Sequence, residues 1–324
     1  MKLTGSVAVR VAGEVILRKP RFWDKVKRAF GGEPDLRTGA MRAALEAGAV
    51  VDAVRDALIS LGATNAVSLV VDDLVLFQDR EGRPDDLGDL FLAFHEQSAA
   101  IGGEFKLLRL AVEHVEAGLH LILEVQARGE HPAEEAAVRV VIGGRIAAFE
   151  PKKGESADAY RARVEPLAKD SGTVELARMQ FDSFVARVRD AIAAVMPEAH
   201  AMVVRAELQV RRPSERPAAE PSPTAPTYDP YYAYYPSPLW VVSDMIMWSA
   251  LWSMTMHSHV TVIDHAGHAL GNLDSPGISE DMPDVDVGDG LSDAADGVGD
   301  AADGIGDGVG DAADGLGDAF SIFD

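Results

Sequence analysis

No lysine or arginine follows Arg216 in this chain of 324 residues. All 30 basic residues lie in positions 1–216 among 33 acidic ones, the nearly balanced mixture of an ordinary globular body. The remaining 108 residues carry 19 acidic side chains and no lysine or arginine, so most of the net charge of −22 belongs to the C-terminal third. Such a segment repels nucleic acid and anionic lipid, which excludes nucleic acid as a partner of that third. A change of composition at Pro213 accompanies the change of charge.

Before Pro213 the apolar pattern switches between periods of two and 3.6 residues. Residues 5–17 read as a strand or hairpin, with Val7, Val9 and Val11 alternating with Ala8, Arg10 and Ala12. A short helix opens at Pro20, and a longer one over 38–61 stops at Gly62. Residues 66–78 are strand-like and 84–98 helical. Three β-rich runs follow, 104–115, 118–128 and 136–149, with Gly118 and the pair Gly143-Gly144 read as bends. Helices are expected over 156–168 and 174–196, the second carrying Val174, Ala177, Phe181, Phe184, Val185, Val188 and Ile192 along one face and stopping at Pro197. A last strand sets Met202, Val204, Ala206, Leu208 and Val210 against Val203, Arg205, Glu207 and Gln209. Strands in runs with helices between them predict an α+β fold, an antiparallel sheet with packed helices forming a globular domain over 1–212. With no cysteine, a disulfide framework, a thiolate zinc site and a cysteine nucleophile are all excluded. Met1 to Pro20 lacks the continuous apolar core of a signal peptide, and the expected location is cytoplasmic.

After the break, residues 213–238 are dense in proline and hold Tyr228, Tyr231, Tyr232, Tyr234 and Tyr235. Proline at that density predicts an extended Pro/Tyr-rich linker with polyproline character. Five tyrosines within eight residues exceed what a spacer needs, and they are expected to lie on an apolar surface of this chain or of a partner. Residues 239–256 form an apolar segment with three of the four tryptophans and four methionines. Its 18 residues match the short end of a membrane span, but Asp244 and the absence of flanking Lys or Arg oppose one. Burial in the chain or under a partner is preferred. Residues 257–274 read as a His-rich β-hairpin, with Asp264-His-Ala-Gly267 as the turn.

The acidic tail, 275–324, is a low-complexity repeat. The unit Asp-Ala-Ala-Asp-Gly-Xaa-Gly begins at Asp293, Asp300 and Asp311, and a four-residue unit from Asp307 to Gly310 interrupts it. Seven and four both approach whole turns of a helix, whereas seven would flip a strand's face at each repeat. On a helical wheel Leu291, Val298, Ile305, Val309, Leu316, Phe320 and Phe323 fall within an arc of about 60°. The aspartates from Asp289 to Asp318 fall opposite. Nine glycines between Gly290 and Gly317 each cost about 1 kcal/mol against alanine. The tail is therefore a conditional amphipathic helix, ordered only when its stripe is covered.

Three groups of residues invite chemistry. His257, His259, His265 and His268, with Asp264, form the best metal candidate, because His257 and His259 would share one face of a strand about 7 Å apart. A divalent transition metal is the ligand such donors suit, although no standard zinc spacing is matched and no cofactor is otherwise implied. Glu113, His114, Glu116 and His120 surround the bend near Gly118 without forming His-Glu-x-x-His, and hairpin tips commonly carry such residues. Asp284 to Gly290 resembles a calcium loop only loosely, its third acid falling one place late. No phosphate loop, nucleophile elbow or dinucleotide fingerprint occurs. The basic patch Arg18, Lys19, Arg21, Lys25, Lys27 and Arg28, beside Phe22 and Trp23, suits an anionic surface, or the acidic tail of this chain or a neighbouring subunit.

The leading expectation is a non-enzymatic interaction or scaffold protein. Its aromatic segment (Trp240, Trp248, Trp252) and tail stripe (Val298, Ile305, Val309, Leu316, Phe320, Phe323) would dock on a protein partner or, in a homo-oligomer, on a sister subunit. A metal-binding protein or metal-dependent hydrolase using the histidine cluster is the alternative, and peripheral membrane association is a third.

Overall fold

A computed structural model describes residues 1–11, 50–51, 53–79, 105–129, 136, 138–213, 221–252, 259–275 and 278. Nine strands form one sheet: β1 (Lys2–Val11), β2 (Asn65–Val71), β3 (Leu74–Gln78), β4 (Leu107–Glu116), β5 (Leu119–Arg128), β6 (Val138–Ile146), β7 (Ala199–Arg211), β8 (Val260–Ile263) and β9 (Ala269–Asn272). Their order is β3-β2-β4-β5-β6-β1-β7-β8-β9. Every neighbouring pair is antiparallel except β7 and β8, which run parallel. The helices are α1 (53–60), α2 (Ala157–Ala168), α3 (Ser171–Val195), α4 (Pro230–Tyr234) and α5 (Leu239–Leu251). The α+β class expected from the alternating periodicities is the class observed.

The central strands alternate strictly. In β5, Leu121, Leu123 and Val125 point to one face, which joins the main core, while His120, Glu124 and Gln126 point to the other. The apolar face is covered by α3, whose buried residues Val174, Ala177, Phe181, Phe184, Val185, Val188 and Ile192 repeat at three and four. Asp170 caps its first turn by accepting from Gly172 N, and Ser156 caps α2 in the same way from Ala159 N. Helix α5 packs on α2 and on β7.

Several local expectations change. β1 begins at Lys2 and is one unbroken strand between β6 and β7, with no hairpin within its ten residues. Gly118 does turn the chain, with φ of +78° after Ala117 at +52°, as a two-residue hairpin between β4 and β5 requires. Gly143-Gly144 is no bend. It lies inside β6, where Gly143 pairs with Ile122 and Thr4. The expected hairpin over 257–272 forms β8 and β9 but is not free-standing, since β8 pairs with β7 and extends the same sheet. The Pro/Tyr stretch is not extended throughout, because α4 interrupts it; Pro230 occupies the first turn, where a missing N–H costs nothing, and Asp229 caps it. The short helix from Pro20, the helix over 84–98 and the tail helix lie outside the described residues.

Candidate functional site

The polar face of the sheet holds the densest set of ionisable side chains among the described residues. Cross-strand pairing fixes which ones share it: Arg109 lies opposite Gln126, Ala111 opposite Glu124, and His120 opposite Arg145. Glu113 joins them from β4, Ser68 from β2, and Glu150 from the turn that follows a single 3-10 turn at Ala147–Phe149. The segment 221–240 crosses this face as a strap.

Gly143 lets the strap approach. A Cβ there would stand 2.7 Å from Asp229 Oδ1, 2.8 Å from Tyr231 N and 3.1 Å from Pro230 Cδ. Asp229 uses Oδ1 to cap α4 and Oδ2 to meet Arg145 Nη2 at 2.8 Å. Burial alone would raise the Asp229 carboxyl, but Arg145 and Lys2 outweigh it and hold the group below the usual aspartate range. The Arg145 guanidinium lies over the rings of Tyr231 and Trp240, at 4.9 and 5.1 Å.

Tyr231, Tyr234 and Tyr235 recur at three and four, so one helical turn aims their hydroxyls at the sheet, and Tyr228, just before the cap Asp229, adds a fourth. Tyr228 donates to Glu124 Oε2 at 2.9 Å, and Tyr234 reaches the same oxygen at 3.3 Å with Ser68 Oγ 2.7 Å away. Gln126 donates to Glu124 Oε1 at 2.8 Å, and Arg109 lies 3.6 Å from the carboxylate. Glu124 is fully buried; burial pushes its pKa up, opposed by Gln126, Arg109, Tyr228 and Tyr234. Tyr235 donates to Glu113 Oε1 at 2.5 Å. Burial and the neighbouring carboxylates push all four tyrosine hydroxyls above their ordinary range, so they stay protonated donors.

His120 closes the network. Its Nε2 meets Glu113 Oε1 at 2.6 Å and its Nδ1 meets Glu150 Oε1 at 2.5 Å. Tyr231 donates to the same Glu150 oxygen at 3.0 Å and stands 3.1 Å from Nδ1. Burial works against the imidazolium, but Glu113 and Glu150 outweigh it and raise His120 to about 9. The His120 hydrogen bond, against the cost of burial and with help from Tyr235 and Asn65, lowers Glu113 to about 2. At neutral pH both ring nitrogens are therefore donors facing acceptors. A ring in that state has no lone pair to take a proton or bind a metal. The network can hold the strap to the sheet; it is not arranged for base catalysis.

Of the group Glu113, His114, Glu116 and His120, strand alternation sends Glu113 and His120 into this network and His114 to the other face, stacked on Phe184 at 5.2 Å. Glu124, Glu150 and Arg145 escaped the sequence reading, which expected the tyrosines on an apolar surface but not as donors to carboxylates. The available signal was the three-and-four spacing of the tyrosines, opposite strands whose alternate residues are charged.

Trp240 is buried at the end of the strap, 5.9 Å from Tyr231, and Trp248 is buried in the main core beside the partly buried Trp252. The surface these tryptophans were expected to offer a partner is thus covered by the chain itself. His259, His265 and His268 are exposed, and Asp264 caps the turn through His268 N at 2.8 Å. Among the described residues no three His, Asp or Glu side chains are grouped to hold a metal ion. His257, the basic patch and the tail stripe lie outside the described residues. No described helix is long and apolar enough to cross a membrane, α5 having 13 residues. Searches of family models, curated proteins and solved structures return no match to this chain.

Proposed function

We propose that the chain is a non-enzymatic interaction or scaffold protein whose acidic C-terminal segment docks on a protein partner or a sister subunit. The observation that carries this reading is the closed state of the strap network. The richest cluster of His, Glu and Tyr among the described residues spends its donors and acceptors on itself, with His120 bonded through both nitrogens. The pattern written for a contact is the stripe of Val298, Ile305, Val309, Leu316, Phe320 and Phe323, which is in helical register and needs a cover. Because Trp240 and Trp248 are internal, docking rests on the acidic segment and not on the aromatic one.

The test is affinity purification of the full-length chain beside a full-length variant carrying Val298→Asp, Ile305→Asp, Leu316→Asp and Phe320→Asp. Loss of co-purifying protein, or of self-association by light scattering, in the variant alone supports the reading. An identical set of partners and an identical mass for both proteins would end it.

A further inference from the structure

The strap leaves one end of the polar sheet face uncovered among the described residues. Its polar contacts begin at Pro223, whose carbonyl accepts from Gln126 Nε2, and Pro226, whose carbonyl accepts from Arg205. Beyond them, register places Arg139 beside Ala8, Ala8 beside Met202, and Arg10 beside His200. Arg128 stands one pair further along β5 than Gln126, on the same face. Arg10 and His200 are exposed, and so are two apolar side chains, Met202 at 43% and Val204 at 56%. This end therefore mixes positive charge with uncovered apolar surface. Carboxylates also lie close in sequence, Glu14 after Arg10, Glu130 after Arg128, Glu135 before Arg139, and Glu198 and Glu207 to either side of Met202 and Val204, the last of them 3.9 Å from Arg205. β1 also leaves the sheet at this end, at Val11, and the next basic residues along the chain are Arg18, Lys19 and Arg21.

A cover of matching chemistry would be acidic with an apolar stripe, and the chain contains one. Fourteen acidic residues and no basic one lie between Glu280 and Asp324. β9 runs antiparallel to β8, which is parallel to β7, so β9 carries the chain toward the end where β7 begins. From Asn272, level with Gln209 through Thr261, to His200 is nine residues of strand, about 30 Å. Ile278 is buried beside Gly271, and the fifteen steps from it to Asp293, where the repeat begins, can span about 50 Å when extended, so the acidic repeat reaches this end. A tether of that length sets an effective concentration of roughly millimolar, which favours the chain's own segment over another copy in dilute solution.

We infer that the arginine-bearing end of the strap face, around Arg10, His200, Met202 and Val204, is the docking site of this chain's own acidic segment, residues 284–318. The inference rests on the reading of that segment as a docking element and says where it lies when no partner holds it. Partners would then compete with an internal contact.

The chain has no cysteine, so Ala312→Cys gives the full-length protein a single site for a nitroxide label. Backbone amide spectra at low salt should lose signal at Arg10 and at 200–204. The signal should return in 1 M NaCl, where the screening length falls to about 3 Å. It should also return in the labelled chain carrying Arg10→Glu and His200→Glu, two exposed positions whose replacement should leave the melting temperature unchanged. Mixing labelled unenriched chain with unlabelled enriched chain separates the two geometries, and signal loss only in the mixture assigns the contact to a second copy. That result overturns the inference, as do unaffected amides at low salt or loss confined to another surface. Partner capture by the stripe variant is a separate readout, so either idea can fail alone.

Discussion

Both ring nitrogens of His120 face carboxylates, and the pH dependence of stability should show it. A histidine raised from 6.5 to about 9 stabilises the fold fully below 6.5, and that contribution is lost as pH rises through about 9. Glu113, lowered from 4.5 to about 2, contributes above 4.5 and is lost as pH falls through about 2. The cluster therefore stabilises best between those two limbs. Melting temperature measured from pH 5 to 10 should fall on the alkaline side, and His120→Gln should flatten that fall while lowering stability near pH 6 by about 3 kcal/mol. An unchanged alkaline limb in the variant would show that His120 does not titrate against these carboxylates. Gly143 gives a second test at this scale. Gly143→Ala places a methyl against Asp229, Tyr231 and Pro230, and denaturant unfolding should report a loss of about 1–3 kcal/mol. A pair of glycines in sequence signals tight geometry but does not say whether the chain turns there or is approached there. That distinction depends on α4, which lies more than eighty residues away in the chain.

At the scale of elements, what was legible followed local periodicity. Helix α3 and strands β4, β5 and β7 appear near their expected places because each carries its own alternating or three-and-four pattern. The strap was legible only in part. Proline density pointed to an extended linker, and the tyrosines pointed to a surface, but the surface proved to be this chain's own, and polar as well as apolar. The rings of Tyr231, Tyr234 and Tyr235 join Ala111 and Ile122 in one apolar cluster while their hydroxyls meet Glu150, Glu124 and Glu113. Tyr231 is the centre, 1% exposed and in contact with His120, Tyr235, Trp240 and Arg145. Tyr231→Ala should cost about 3–5 kcal/mol, as for other large buried rings, and should expose 221–240 to limited proteolysis before the body of the sheet is cut. Tyr231→Phe keeps the ring and loses only the hydroxyl, so it should cost about 1–2 kcal/mol and leave the strap protected. Equal proteolytic sensitivity in wild type and Tyr231→Ala would mean that the strap is held by other contacts.

On the scale of the molecule, the parallel pairing of β7 with β8 decides how much of the chain is one folding unit. That pairing joins residues some fifty positions apart, and no local pattern announces it. Its consequence is that the main core does not stop at 212: Met247, Trp248, Leu251, Val260, Val262, Leu273 and Ile278 share one buried cluster with Leu3, Val7, Phe181 and Val188. A chain cut after 212 would lose α5, β8 and the strap together. It would leave the outer edge of β7 unpaired and the polar sheet face, with Glu124 at its centre, open to water. Such a fragment should lack a cooperative thermal transition. A cut after 283 removes none of these core residues, since the last of them is Ile278. The acidic segment's contact with the arginine end would be largely electrostatic and screened, worth little to global stability. The chain ending at 283 should therefore melt within about 2 °C of the full-length protein by calorimetry. A cooperative 1–212 fragment would show that the first seven strands hold without their cover. A large fall for 1–283 would mean that the acidic repeat is part of the folded body and not a segment reserved for docking.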